Sequence, residues 1–161
     1  MISTCRVEII VLVVVALILV FFASFSFIQN YQQQAQPIPL LSSFEVESIT
    51  ISNVSGFVYV ASTNAEQVQG FQNVTSFGNC NGRGSCIGMI FVFSGDQNLC
   101  FWMHNTKIPL EQVWIAGNGT VVAVYQAQPE SDASVCHLAS FVLETSPTMK
   151  IAVGDRLTQQ S

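Results

Sequence analysis

The stretch Leu99-Cys100-Phe101-Trp102-Met103-His104-Asn105-Thr106-Lys107-Ile108-Pro109-Leu110 decides how the globular part of this chain is read. It begins as a strand, breaks at a short polar turn, and restarts at Pro109. Proline lacks the N–H that a central sheet ladder needs, so it belongs at a strand start or edge. Just upstream, Met89-Ile90-Phe91-Val92-Phe93 is apolar at both alternating positions, the pattern of a strand covered on both faces. Ser94 to Asn98 reads as the turn between that strand and Leu99–Met103. Downstream, Glu111–Ala116 and Thr120–Gln126 form a hairpin across Gly117-Asn118-Gly119. Its Asn-Gly pair suits a turn whose two central residues both take positive φ. Gln128–Ser134 is a polar loop, Phe141–Thr145 a strand, and Gly154-Asp155 a turn before a last short strand.

Moving back toward the amino terminus, Phe44, Val46, Ile49 and Ile51 supply a first strand. Asn53-Val54-Ser55-Gly56 is a turn, and Phe57–Ala61 is a second strand. Thr63-Asn64-Ala65-Glu66 fits a capping box, in which the Thr hydroxyl and the Glu carboxylate each satisfy one orphan amide of a helix start. A short helix to about Gly70 follows, with Val68 expected to face inward. Residues 75–88 form a Gly/Asn/Ser-rich loop. The sum is a mainly β (α+β) fold, a closed or half-closed β-barrel of about seven to eight short strands with one short helix. A parallel sheet is not expected, since no regular crossover helices separate the strands.

Only 9% of the 161 residues are charged, against about 25% for an ordinary soluble domain, while half are apolar. Arg6 and Glu8 cancel, so the net charge of −5 falls on the rest of the chain. An acidic domain poor in Lys and Arg cannot neutralise a row of phosphates, which excludes nucleic acid as the expected partner. It also lacks the basic patch that would hold it to anionic lipid. Membrane contact comes instead from residues 9–28, an almost unbroken apolar run of about 20 residues, enough to span about 30 Å of hydrocarbon as a helix. A cleaved signal peptide would have a shorter apolar region ending in small residues, and Ala23-Ser24-Phe25 is a poor cleavage site. The expected organisation is therefore a cytoplasmic amino terminus (1–8), a transmembrane helix (9–28), an extended Gln/Pro linker (29–43) and a β-rich extracytoplasmic domain (44–161). Arg6 on the inner side sets that orientation. Cys5 reads as a bystander thiol. Three Asn-x-Ser/Thr triplets, at Asn53, Asn73 and Asn118, agree with an exported domain.

Gly88-Met89-Ile90-Phe91-Val92-Phe93, followed by Cys100-Phe101-Trp102-Met103-His104-Asn105-Thr106-Lys107-Ile108-Pro109-Leu110-Glu111, resembles the domain-of-unknown-function 192 family. That family carries Gly-Met-Leu-Phe-x-Phe and then Phe-Trp-Met-Lys-Asn-Thr-x-Ile-Pro-Leu-Asp. Phe141-Val142-Leu143-Glu144 resembles its Tyr-Val-Leu-Glu, and Gly154-Asp155-Arg156-Leu157 its Gly-Asp-x-Val. Thr63 to Gly70 sits where the family has its Thr-Pro-Glu-Glu-Arg helix. The resemblance covers about residues 44–157 and implies a compact, β-rich single domain, often exported. No reaction is established for the family, so no catalytic residue carries over. His104 stands where the family usually has Lys, Glu111 where it has Asp, and Gln69-Gly70-Phe71 where it has Arg-Gly-Leu.

Cys80 and Cys86 lie six residues apart on a flexible loop and should oxidise outside the cytoplasm. Cys100 and Cys136 are the other expected pair, in positions that some family members also fill with Cys. The rival reading joins these cysteines to His137 around a metal, but no Cys-x-x-Cys spacing supports it; no cofactor or metal is expected. Trp102 reads first as core. The alternative is a ligand cleft in which Trp102, Trp114 and Tyr125 give stacking surface and His104, Asn105, Lys107 and Glu111 give polar contacts. Two functions follow. One is a binding or accessory module for an unidentified envelope protein or small ligand. The other is an envelope hydrolase using His104 or Glu111 beside Asn105, which requires all three within hydrogen-bond reach. An accessory subunit of a membrane complex is a third reading.

Overall fold

The computed structural model describes residue 14, residues 17–22, residue 24 and residues 39–159. The chain divides into two compact units, Met1–Gln36 and Pro37–Ser161. In the first unit the described residues are helical, and Ser24 donates its hydroxyl to the carbonyl of Val20 at 2.8 Å. The side chains of Leu17 through Phe22 are exposed. Among the described residues no helix is long and apolar enough to cross a membrane. Much of the expected 9–28 span, together with Cys5 and residues 29–38, lies outside the described residues.

The second unit is one seven-stranded sheet. Its strands are β1 (Glu45–Ile51), β2 (Val54–Ala61), β3 (Cys86–Phe101), β4 (Leu110–Ile115), β5 (Val121–Ala127), β6 (Val135–Thr145) and β7 (Leu157–Gln159), in the order β5-β4-β6-β3-β2-β1-β7. The two edges meet at one end. Thr120 bridges to Arg156, Val121 donates its amide to the carbonyl of Asp155 at 2.9 Å, and Leu157 donates to Gly119 at 2.8 Å. The sheet is thus a half-barrel. Alternation along each strand sorts side chains between two apolar clusters. Ile49, Val58, Ile90, Val113, Ile115 and Leu143 fill the barrel interior. Tyr59, Met89, Phe91, Leu110, Trp114 and Val142 point to the outer face, where Leu41, Phe71 and Val74 cover them. The two-faced apolar character of Met89–Phe93 has this cause: β3 is central and buried on both sides.

Several sequence expectations are corrected. The β2–β3 pair is parallel, with Tyr59 opposite Met89, so the sheet is mixed. The connection carries only one short helix, α1 (Asn64–Gln69), but with the loop after it the chain is long enough to make the parallel return. Ser94 to Asn98 is not a turn. The chain continues as one 16-residue strand whose pairing with β6 slips between Val92–Phe141 and Gln97–Ala139, leaving a wide bulge. Asp96 in that bulge accepts from the Gly117 amide at 2.8 Å and the Ser140 hydroxyl at 2.6 Å. These bonds hold its carboxyl below the usual range and pin the β4–β5 turn. In that turn Gly119 takes φ +84° and Asn118 does not take positive φ. Gly119 donates to Ala116 and the Asn118 side chain accepts from Thr120, so a bulged turn replaces the two-residue one.

The capping box forms as expected, with Glu66 accepting from the Thr63 amide at 2.9 Å and Thr63 accepting from the Glu66 amide at 3.3 Å. Val68, expected inside, is 65% exposed. Helix α1 buries none of its residues; it is tied down by Gln67, which donates to the Val92 carbonyl at 2.8 Å, and by the buried Phe71 just beyond it. Both expected disulfides are present, Cys80–Cys86 and Cys100–Cys136. The second joins residues directly opposite in the β3–β6 ladder, and Cys136 and His137 lie within β6 rather than before it. Asn53, Asn73 and Asn118 all sit exposed outside the strands.

Candidate functional site

The turn at the end of β3 builds the site. Strand pairing stops at Phe101, the period of two ends there, and Trp102 swings outward while Met103 turns in. Asn105 takes φ +55°, a conformation that a short amide side chain tolerates better than most. Its carbonyl accepts from the Asn73 amide at 2.8 Å, and Thr106 donates back to Met103 at 3.0 Å. On the other side Met103 donates to Ser131 at 2.9 Å and Glu130 donates to Thr106 at 3.0 Å. The turn is therefore clamped between the segment after α1 and the β5–β6 loop. Outside it, Trp102 stacks on His104 with centroids 5.1 Å apart, and His104 Nδ1 donates to Asp132 at 2.8 Å.

Beneath the turn lies Glu144, near the end of β6. Val142 and Glu144 share the outer face, whereas Leu143 points into the barrel. Gln112 on β4, paired in register with Glu144, donates Nε2 to its Oε1 at 3.0 Å; the same nitrogen lies 3.7 Å from Met103 Sδ. Glu144 is only 4% exposed. Burial pushes its carboxyl up to about 7, against the opposing pull of Gln112. A carboxyl poised near neutrality beside a cleft marks a functional candidate.

The cleft itself, about 50 Å³, lies between the end of α1, the aromatic rings of Phe91 and Phe101, and the Trp102–Thr106 turn, with Glu144 in its wall. Gly70 closes α1 at φ +43°, and a Cβ there would stand 3.3 Å from the Phe91 ring. Glycine thus lets the helix end settle onto the wall of the cleft. The glutamines around it have their amide nitrogens engaged within the fold. Gln67 donates to Val92, Gln69 to Gln72 at 3.1 Å, and Gln72 to Val68 at 2.6 Å.

The residues singled out in the sequence scatter. Trp102, expected in the core, is 53% exposed and, with His104, lines the cleft. Asn105 shapes the turn, and Lys107 is exposed beyond it. Trp114 is fully buried, donating its indole N–H to Leu99 at 2.9 Å, and offers no stacking surface. Tyr125 lies on the edge strand β5. Glu111 faces the barrel side with Val113 and Ile115, accepting from Gln126 and the Ile151 amide, and its burial raises its pKa. His104 and Glu111 thus belong to opposite sides of the sheet, and the acid–base set is not assembled. His137 packs edge-on against Trp114 at 4.8 Å.

Glu144, Gln112 and Asp132 were not among the candidates. A carboxylate closing the apolar run Phe141-Val142-Leu143 and an amide between Leu110 and Trp114 were the available signals, each a polar residue at a buried strand position.

A larger hollow of about 540 Å³ opens on the barrel side, walled by Ile49, Val60, Ile90, Phe141 and Leu157, with Glu45 and Glu47 also lining it. It too draws on distant stretches, but neither Glu45 nor Glu47 is buried, whereas the smaller cleft brings residues 67–72, Phe91, residues 101–106 and Glu144 together around a buried ionisable group.

Two crystal structures share this fold. A Sinorhizobium meliloti 1021 protein described as a "putative transcription regulator" superposes with TM-score 0.62 at 24% identity, over 73% of this chain and 95% of that one. A protein of unknown function from Novosphingobium aromaticivorans DSM 12444 gives 0.61 at 24% identity, over 77% and 90%. No curated protein matches the chain. The family model DUF192, described as "Uncharacterized ACR, COG1430", matches residues 47–159, the whole half-barrel apart from the start of β1, and so this chain belongs to the DUF192 family.

Proposed function

We propose that this protein is a single-pass membrane protein whose extracytoplasmic β-domain is a binding or accessory module, with the Trp102–Glu144 cleft as its recognition site. The apolar run 9–28 with Arg6 before it supports the topology, as do two disulfides suited to an oxidising compartment and three exposed glycosylation triplets. One observation carries the binding reading. Four stretches far apart in the chain, each bearing part of the family pattern, meet at one cleft whose buried carboxyl is paired with an amide. An amide partner orients a carboxyl but neither activates a nucleophile nor relays a proton, so recognition fits this geometry better than hydrolysis.

The test is chemical-shift mapping of the full chain in detergent against mixtures of small polar compounds. Perturbations at Gly70, Trp102 and Thr106 that vanish in Trp102→Ala support the site. Perturbations confined to the barrel mouth refute it. Protease added to intact cells should remove the β-domain; full protection would overturn the topology.

A further inference from the structure

We infer that the cleft is a site for a primary ammonium group, presented by a free amine or by a lysine side chain, with the Glu144 carboxylate as its counter-ion. This rests on the reading of the cleft as the recognition site and names its ligand class.

Three observations converge. The first is the donor–acceptor balance. The amide nitrogens of Gln67, Gln69 and Gln72 donate to carbonyls of the fold, that of Gln112 to Glu144, His104 Nδ1 to Asp132, and the Thr106 hydroxyl to the His104 carbonyl at 3.4 Å. Each of these groups already makes a bond within the fold, and the ionised Glu144 carboxylate can only accept; an ammonium answers it with three donors and accepts none.

The second is charge. Glu144 is the carboxyl in the lining, and neither Lys nor Arg lines the cleft. Phe91 and Phe101, edge to face at 4.8 Å, and the Trp102 ring complete walls whose aromatic faces attract cations. The third is size. At about 50 Å³ the cleft suits a small head group, with the rest of a larger ligand left outside. A primary ammonium has N–H groups to give to Glu144; a quaternary ammonium has none.

A proton linkage follows. Glu144 holds a proton below about pH 7, and an incoming ammonium must displace it, so binding strengthens about tenfold per pH unit up to that point and then levels. The groups facing Glu144 are Gln112 from β4, Phe91 from β3, the glutamines of the α1 end, and His104 from the turn. Of these only His104 is also ionisable, so His104→Gln separates its contribution from that of Glu144.

The test uses the full chain in detergent, with n-butylammonium and Nα-acetyl-lysine methylamide as probes. The controls are n-butanol, acetate and tetramethylammonium. Binding is read from the backbone amides of Gly70 and Thr106 between pH 5 and 8. The expected result is binding of one or both primary ammonium probes, at least tenfold tighter than any control and strengthening up to about pH 7. Glu144→Gln should weaken it at least tenfold and abolish the pH dependence, while His104→Gln keeps that dependence. Trp102→Ala, at an exposed position, should also weaken it. Binding of the lysine compound alone assigns the site to a protein partner, and binding of butylammonium alone to a free amine. Butanol, acetate or tetramethylammonium binding as well as the primary ammonium probes, or Glu144→Gln binding unchanged, overturns the ammonium assignment but leaves a recognition cleft. Silence of Gly70 and Thr106 toward every probe overturns the assignment, whereas the wider screen of polar compounds is what decides the recognition site itself.

Discussion

Replacing Glu144 with Gln isolates the energetic consequence of burying that carboxyl. Its pKa rises from the ordinary 4.5 to about 7 because burial penalises the charged form. Between those values the folded chain keeps a proton that the unfolded chain has released. Stability therefore falls as pH rises from 4.5 toward 7 and stays low above it. At about 1.36 kcal/mol per pH unit over that interval, the accumulated loss is about 3 kcal/mol. Glutamine keeps an acceptor for the Gln112 N–H and cannot ionise. Glu144→Gln should match the parent near pH 4.5 and exceed it by about 3 kcal/mol at pH 8. The assay is urea unfolding with disulfides intact, followed by near-ultraviolet circular dichroism at several pH values. Asp96 and Asp155, held low by their hydrogen bonds, lose their stabilising effect only in more acidic solution and do so equally in both proteins. A difference between variant and parent that stays constant from pH 4.5 to 8 would refute the reasoning, as would a gap that widens toward acid.

Further changes test the scaffold. In Gly88→Ala the new Cβ would stand 2.1 Å from the Glu144 carbonyl oxygen, so β3 and β6 must part; a loss above about 3 kcal/mol is expected, and an unchanged Tm would contradict it. Gly56→Ala meets only the Ile87 side chain, at 2.5 Å, and should be milder. The chain-entropy estimate gives about 4 kcal/mol for the Cys100–Cys136 bond, which spans 36 residues, and about 2 kcal/mol for Cys80–Cys86, which spans 6. Paired Cys→Ser replacements measured by urea unfolding should keep that order. Thr63→Ala removes one arm of the capping box and should lower stability by about 1 kcal/mol in the same assay.

Local chemistry made the element types readable from residues alone. Apolar runs, alternating or continuous, marked six of the strands, the Thr63–Glu66 pair marked the helix start, and Pro109 marked the entry to β4. Each signal lies within a few residues of its effect. The same local reading failed at residues 94–98, where turn-forming residues occupy a bulge, because pairing with both ends of β6 and the bonds to Asp96 outweigh the turn preference. It failed at Trp102 because nothing in the sequence says where ladder pairing stops.

The chain by itself determined that this domain is β-rich, carries two cysteine pairs and is poor in Lys and Arg, because composition, spacing and alternation act over short range. Only the tertiary structure decided that β2 and β3 run parallel, that Glu111 and His104 part to opposite sides, and that Glu144 rather than either of them is the buried ionisable group beside a cleft. Burial and partnership depend on which distant strands become neighbours, and no residue carries that information in its own flanks.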